Sequence, residues 1–466
     1  MIKCRIIMTY NETLDYLYNA APAFEKVGAG AYKEGLQNTF ALDEHFGHPH
    51  RQYRTIHVAG TNGKGSVSHT LAALLQTAGY KVGLYTSPHL VDFNERIRVN
   101  GEPIEHEYVV DFVEREKDFF EPLCPSFFEL TTALAFKYFA DKNIDIAVIE
   151  VGLGGRLDCT NIIEPLLCVI TNISFDHTAF LGNTLAKIAG EKAGIIKNGV
   201  PVVIGEHDEE TRKVFEDRAA ALSAPIIFAQ DDQYVVSSKP VAGGGRSYET
   251  TCFGVLKGTL GGECQEKNVN TILHTLLPLA KAMKKVGMPP LSESMKLRGE
   301  TLIGMVRKAL ENVCGMTGLA GRWQTLRQEP LVICDTGHNL AGWQYLSRQI
   351  QAVAADRKKA CSISRLRIVF GMVDDKDVDA VMALLPTDAV YYFTQADTHR
   401  AIPVAALMRL AAEKGLQGQA FPTVKTACQA ALEDSAAEDF VFVGGSSYVV
   451  ADLLSVDLTA QESKHK

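Results

Sequence analysis

The residues best suited to chemistry begin with Gly60-Thr61-Asn62-Gly63-Lys64-Gly65-Ser66, which follow a short apolar run and open a stretch with helical spacing. Backbone N–H groups at the start of a helix lack intrahelical partners and carry partial positive charge, so they attract phosphate oxygens. The glycines let the chain turn sharply and come close to a ligand. Lys64 adds a full charge for outer phosphates, and a hydroxyl such as that of Ser66 is a magnesium ligand. The spacing is not G-x-x-x-x-G-K-[ST], because two residues separate the first glycines and Gly65 stands between lysine and serine. The competing reading is a structural glycine turn, but the strand-then-helix context favours phosphate.

Further along, Ile146–Val151 is an apolar run carrying Glu150 near its end. In an open parallel sheet that position faces the ligand crevice, where a carboxylate serves magnesium. Taken alone, such a glutamate is more often solvated or capping. The loop after it, Gly152-Leu153-Gly154-Gly155-Arg156-Leu157-Asp158, is too rich in glycine for a mere connector. Thr171 to His177 also follows a strand, and His177 is a candidate for a second cation. Lys192 lies in the helical stretch Glu191–Lys197, where a lysine is ordinarily a solvated charge.

These residues need a scaffold. Candidate strands are Thr55–Ala59, Val82–Thr86, Ile144–Val151, Leu167–Asn172 and Val200–Ile204. Between the first two, Val67, Leu71, Leu74, Leu75 and Ala78 recur at helical spacing until Gly79 ends the run. Strand, helix, strand is the unit of a parallel sheet covered on both faces. Tyr234–Val236 and Tyr248–Val255 read as hairpin strands around Gly243-Gly244-Gly245. Helical texture runs from Lys267 to Asn312, and Gly315-Met316-Thr317-Gly318 reads as a hinge. The α/β rhythm then restarts with Leu331–Cys334, Leu366–Phe370, Ala389–Thr394 and Phe440–Val443. The expected fold is α/β: a doubly wound, mainly parallel ATPase-type domain over 1–318 with a small antiparallel extension, then a smaller Rossmann-like α/β domain over 319–466.

Composition sets the class. Hydrophobic residues make up 46% and charged residues 22% of 466 residues, ordinary values for a globular chain. A net charge of -8 offers no basic surface for nucleic acid. Ten cysteines without C-x-x-C pairs read as reduced thiols in a cytoplasmic protein. The start is too weakly apolar for a signal peptide, and no stretch approaches a membrane span. Thr9-Tyr10-Asn11-Glu12 reads as a capping box, which leaves residues 1–8 outside the expected fold.

In order and spacing, the motifs resemble the folylpolyglutamate synthase/dihydrofolate synthase family of the Mur ligase superfamily. The resemblance rests on residues 60–66, Thr86-Ser87-Pro88-His89-Leu90, Asn94-Glu95-Arg96-Ile97, Asn100-Gly101, Glu150 to Asp158 with Thr160-Asn161, and Asp176-His177. It continues through Glu191-Lys192-Ala193-Gly194, Gln265, Asn268, Gly321-Arg322-Trp323-Gln324 and Asp335-Thr336-Gly337-His338-Asn339, and covers about Thr9 to Leu454. Two departures stand out: the family usually has Asp-Gly-Ala-His-Asn-Pro where Asp335–Leu340 lies, and phenylalanine where Trp323 lies.

The resemblance implies roles. Thr61, Asn62, Gly63, Lys64, Gly65 and Ser66 would hold ATP, with Asn268, Arg322, Asp335 and His338 completing the nucleotide site in a cleft between domains. Ser66, Ser87 and Glu150 would hold one magnesium, and His177 a second. Lys192 would be carbamylated and, as an anion, help bind that second metal. Lys64, His177 and Lys192 are thus the candidate catalytic residues. The implied reaction transfers the ATP γ-phosphoryl group to a carboxylate, and the glutamate amine then displaces phosphate. The acceptor would be dihydropteroate, a folate glutamate, or both. Phe93, Phe127 and Phe128 are candidates for stacking on the pterin. Expected partners are small molecules, with no nucleic acid, no membrane and a monomeric chain. The alternatives are another Mur-type amino-acid ligase, a folylpolyglutamate synthase without the second activity, and a nucleotide switch without ligation. About 50 residues before the first strand are too few for the uridine-binding domain of other Mur ligases.

Overall fold

The computed structural model describes residues 8–20, 35–291, 293, 301–374 and 376–456. The chain divides into two compact units. One takes the residues up to Ser238, Ser247–Thr259 and Gln265–Leu319; the other takes Lys239–Arg246, Leu260–Cys264 and everything from Ala320 on. The division therefore runs one residue beyond 318, and two short segments from the first half group with the second unit.

The first unit is built on eight strands: β1 (Arg54–Ala59), β2 (Val82–Tyr85), β3 (Ile97–Val99), β4 (Glu102–Pro103), β5 (Ile146–Glu150), β6 (Leu167–Ile170), β7 (Val202–Ile204) and β8 (Ile226–Phe228). Their order is β4-β3-β2-β5-β1-β6-β7-β8. From β2 to β8 every pair is parallel, and β3 and β4 add antiparallel at one edge. Strands β6, β7 and most of β5 read as unbroken apolar runs because helices bury both faces, while β1 carries Thr55 and His57 as buried polar residues. On one face, Phe136 and Phe139 of the helix Phe127–Asp141 and Val109 and Val113 of the helix His106–Leu123 share a core with Tyr85, Ala147 and Ile149. On the other, Ala189 and Ala193 of the helix Leu185–Ala193 and Phe215 of the helix Glu209–Ala221 pack with Ala59, Cys168 and Ile170.

A three-stranded sheet of β9 (Val235–Pro240), β10 (Arg246–Thr250) and β11 (Val255–Gly258) follows in the order β11-β10-β9. The single strand expected over Tyr248–Val255 is two. Thr250 N–H bonds back to the Gly254 carbonyl, and Gly254 takes a φ of +67°, so the chain reverses there. Gly315-Met316-Thr317 do not form a hinge: they complete the helix Leu302–Thr317, and only Gly318, at φ +69°, ends it as a left-handed cap. His69 Nδ1 and Thr317 Oγ1 lie 2.8 Å apart and tie this helix to Lys64–Thr77. Part of the run 284–312 lies outside the described residues. At the start, the capping box is present: Thr9 N–H reaches Glu12 Oε2 at 2.7 Å and Glu12 N–H reaches Thr9 Oγ1 at 3.3 Å. Met8 belongs to the fold, since its N–H donates to Glu114 Oε1 at 3.2 Å; residues 1–7 lie outside the described residues.

The second unit has six strands: β12 (Gln324–Gln328), β13 (Leu331–Asp335), β14 (Leu366–Phe370), β15 (Val390–Phe393), β16 (Gly418–Ala420) and β17 (Phe440–Gly444). Their order is β12-β13-β17-β14-β15-β16, parallel except for the edge pair β12–β13. Apolar clusters cover both faces, one around Trp343, Ile368 and Phe442, the other around Val369, Ala427 and Val443. No helix among the described residues is long and apolar enough to cross a membrane. The nine cysteines among them form no disulfide.

Candidate active site

Sheet order and register gather the first-unit candidates. Tyr85 pairs with Ile149, Val58 with Glu150 and Ala59 with Ile170, so β2, β5, β1 and β6 end side by side. Ser87, Glu150, the loop 60–66 and the segment 171–177 therefore leave one edge of the sheet next to one another, where the strand order reverses about β1.

The phosphate loop is held from its neighbour. Thr61 N–H donates to the Asn172 carbonyl at 2.9 Å, and Asn62 N–H to Asn172 Oδ1 at 2.9 Å. Thr171 Oγ1 donates to the Asn62 carbonyl at 2.5 Å, and Thr61 Oγ1 to the Ser174 carbonyl at 3.1 Å. Thr61 and Asn62 thus spend their N–H groups on the protein, and the donors aimed at an anion narrow to those of Gly63 to Ser66. These four open the helix Lys64–Thr77, which has no side-chain N-cap. Gly60 and Gly63 need their left-handed φ values of +144° and +85°. A methyl on Gly60 would lie 1.8 Å from Thr171 Oγ1, and one on Gly63 would lie 2.4 Å from Asn268 Oδ1. Lys64 Nζ folds back onto the carbonyls of Gly60 and Thr61, both at 3.1 Å.

Glu150 is 3% exposed and Ser66 2%. Ser87 N–H donates to Glu150 Oε2 at 3.3 Å, which puts two of the proposed metal ligands in contact. Two hydroxyls and a carboxylate are hard oxygen donors of the kind magnesium takes, with phosphate and water completing its shell. Among the described residues no cluster of three His, Cys, Asp or Glu side chains is present; a cation held here would need the hydroxyls beside Glu150. His177 opens a short helix at φ +49°, with its N–H on Asp176 Oδ1 at 2.9 Å. Lys192 is not a surface charge. It is 4% exposed, and its Nζ donates to the Gly60 carbonyl at 2.9 Å, the carbonyl that Lys64 also uses. Burial, then the neighbouring Lys64 charge, lower its pKa to about 7, against the opposing pull of Asp176 and Asp158.

Beneath the glycine-rich loop, Asp158 accepts the N–H groups of Leu153 at 2.8 Å and Thr160 at 3.0 Å. Thr160 Oγ1 donates to Asp158 Oδ1 at 2.5 Å and lies 2.9 Å from His57 Nε2. With the hydroxyl proton spent on Asp158, His57 is the donor through Nε2. Burial, and then Lys197, drive its pKa to about 3, so it stays neutral. This chain pins the loop to β1.

Within the second unit, Arg322 just before β12, Asp335 at the end of β13 and His338 just after it lie near one another. Both Asp335 oxygens accept backbone N–H groups, from Trp323 and Gly337, each at 2.7 Å. Burial raises the Asp335 pKa, and Arg322 opposes that rise. Arg322 Nη1 donates to Thr336 Oγ1, and His338 Nδ1 lies 3.1 Å from the Thr336 carbonyl.

The Mur ligase middle domain model matches residues 58–239, and the Mur ligase, glutamate ligase domain model matches residues 321–447. A dihydrofolate synthase/folylpolyglutamate synthase of Bacillus subtilis is 36% identical over 380 residues, 79% of this chain and 83% of its own. The chain belongs to the folylpolyglutamate synthase/dihydrofolate synthase family. E. coli FolC in complex with DHPP and ADP matches it with a TM-score of 0.76 at 29% identity, over 96% of this chain and 97% of its own. A bifunctional folylpolyglutamate synthase/dihydrofolate synthase with Mn, AMPPNP and L-glutamate bound matches with a TM-score of 0.75 at 29% identity, over 96% and 98%.

Two aromatic expectations from the family resemblance fail. Phe93 and Phe127 are 1% and 3% exposed and belong to the core. Phe128 is only partly buried, and its ring sits so close to Gly152 that a methyl there would lie 2.4 Å from Cζ. The departure from the family's usual Asp-Gly-Ala-His has a local use: Thr336, where the family usually has glycine, accepts from Arg322. Sequence reading missed the clamp of Thr171, Asn172 and Ser174 on the phosphate loop. Small polar residues after a strand look like any loop, and only the β1–β6 pairing shows what they hold.

Proposed function

We propose that this chain is an ATP-dependent, magnesium-requiring ligase that adds L-glutamate both to dihydropteroate and to the γ-carboxylate of folates already carrying glutamate, releasing ADP and phosphate. The observation that carries this is the gathering of the phosphate loop, Ser87, Glu150 and the buried Lys192 at four adjacent strand ends, in a family whose solved members are described with DHPP and ADP or with Mn, AMPPNP and L-glutamate.

The Gly63–Ser66 N–H groups and Lys64 would neutralise the phosphates, and Asn268, Arg322, Asp335 and His338 would contact the nucleotide. Ser66, Ser87 and Glu150 would hold one magnesium, and His177 with a carbamylated Lys192 a second. When bound, the metal supplies charge neutralisation for the triphosphate. A lysine with its pKa near 7 is partly the free amine that combines with carbon dioxide, which supports the carbamate. A carboxylate does not condense with an amine near neutral pH, because the leaving group would be oxide. Taking the γ-phosphoryl group from ATP gives it phosphate as leaving group, and the glutamate amine then displaces that phosphate. The chain's part is to position the reactants and neutralise charge. We take the working form to be a cytoplasmic monomer.

A substrate panel tests this reading. Dihydropteroate, a tetrahydrofolate and a UDP-muramyl peptide are each supplied with ATP, magnesium and glutamate, and amide product and phosphate are measured. Product is expected with the first two and not the third. Product with the peptide alone, or phosphate release that needs neither glutamate nor a pterin carboxylate, would overturn the proposal.

A further inference from the structure

Gln265 is the first residue of the helix Gln265–Lys285, and 2% of it is exposed. Its Nε2 donates to Ser66 Oγ at 3.1 Å, and its Oε1 accepts from Asn268 Nδ2 at 3.0 Å. Asn268 Oδ1 faces the loop at Gly63, so Asn268 turns its donor toward Gln265. That fixes the polarity of the row. The Gln265 oxygen serves Asn268, its NH2 group faces Ser66, and the Ser66 oxygen accepts. A hydroxyl oxygen has two lone pairs and one proton. With one lone pair committed to Gln265, the other remains for a cation and the proton for a phosphate oxygen.

The start of this helix is anchored independently. Lys267 pairs with Glu206, whose Oε1 accepts from Asn172 Nδ2 at 3.3 Å, and Asn172 Oδ1 takes the Asn62 N–H at 2.9 Å. The phosphate loop is thus gripped at Asn62 through one polar row and at Ser66 through the other, which leaves Gln265 little freedom to turn away.

We infer that Gln265 is a positioning residue, whose donated hydrogen bond orients the Ser66 hydroxyl so that its remaining lone pair meets the divalent cation of the bound nucleotide. This rests on the proposed function, in which Ser66 is a metal ligand. Groups that orient metal ligands typically contribute about 10- to 100-fold to metal affinity.

The test is a double-mutant cycle on the full chain with S66A, Q265M and the double variant. Methionine keeps length and volume without a donor. Mn2+ affinity is read by water-proton relaxation in the presence of AMPPNP, alongside the ligation rate and the Tm. Q265M is expected to weaken Mn2+ binding about 10-fold, and the double variant to bind no more weakly than S66A alone. Losses that multiply in the double variant would overturn the role of Gln265 while leaving the ligase reading intact, provided the wild type binds the pair and ligates glutamate. A wild type that binds no Mn2+ with the nucleotide overturns both. If Q265M does not fold, Q265L carries the same test, because leucine is uncharged and also lacks the donor.

Discussion

Lys64→Ala is expected to lower kcat for ATP-dependent ligation by about 100- to 1,000-fold while the protein stays folded. The number is the usual cost of removing one preorganised charge from a site where negative charge develops. The structure explains why the loss falls on turnover. Lys64 is the first residue of its helix, its side chain bonds the Gly60 and Thr61 carbonyls, and alanine is a better helix former. The loop keeps its shape without Lys64, because Thr171, Asn172 and Ser174 hold it. The measurements are steady-state kinetics, far-UV circular dichroism and Tm. Turnover within a few-fold of wild type in a folded variant would remove the phosphate-loop assignment.

Lys192→Ala is expected to cost at least about 1,000-fold, and the manner of its rescue is the informative part. Two roles compete for a buried lysine at this place. As a cation it would simply hold the Gly60 carbonyl; as a carbamate it would be an anion beside a metal. The variant leaves a small buried hole lined on one side by that carbonyl. A short carboxylate such as acetate restores activity if the anion is what matters, whereas ethylamine does so if the cation is. We expect rescue by acetate and none by ethylamine. Wild-type activity should also fall as pH drops below about 7, because protonating the Lys192 amine withdraws it from carbon dioxide. Rescue by the amine, or a wild-type rate indifferent to removal of bicarbonate, would contradict the carbamate.

Much of the fold was legible because its strands are buried on both sides. Ile146–Ile149 and Leu167–Ile170 are apolar without interruption, and Leu366–Phe370 is broken only by Arg367; the expected bounds of all three strands agree to within about two residues at either end. The strands not anticipated are short or polar edge elements such as Gly418–Ala420 and Gln324–Gln328, whose composition does not separate them from loops. Ser66 and Glu150 could be proposed because one sits at the start of a recognisable helix and the other at the end of a recognisable strand, whereas Ser87 entered only through the family resemblance. Lys192 could not be recognised from its own surroundings: a lysine within a helix usually faces solvent, and nothing local shows that this one is buried under Gly60. Gln265 escaped for a related reason. Its motif was visible, but its bond to Ser66 joins residues 199 positions apart and exists only in the folded chain. Phe93 and Phe127 show a different limit: sequence alone offers them as stacking candidates, but an aromatic near a site is more often part of the core, and both are.

The most direct test of the account follows one oxygen atom. The acceptor carboxylate of dihydropteroate is labelled with 18O, and the ligation is run with ATP, magnesium and glutamate. If the ATP γ-phosphoryl group goes to that carboxylate and the amine then displaces it, each released phosphate carries one labelled oxygen for each amide formed. Amide product accompanied by unlabelled phosphate would contradict the account.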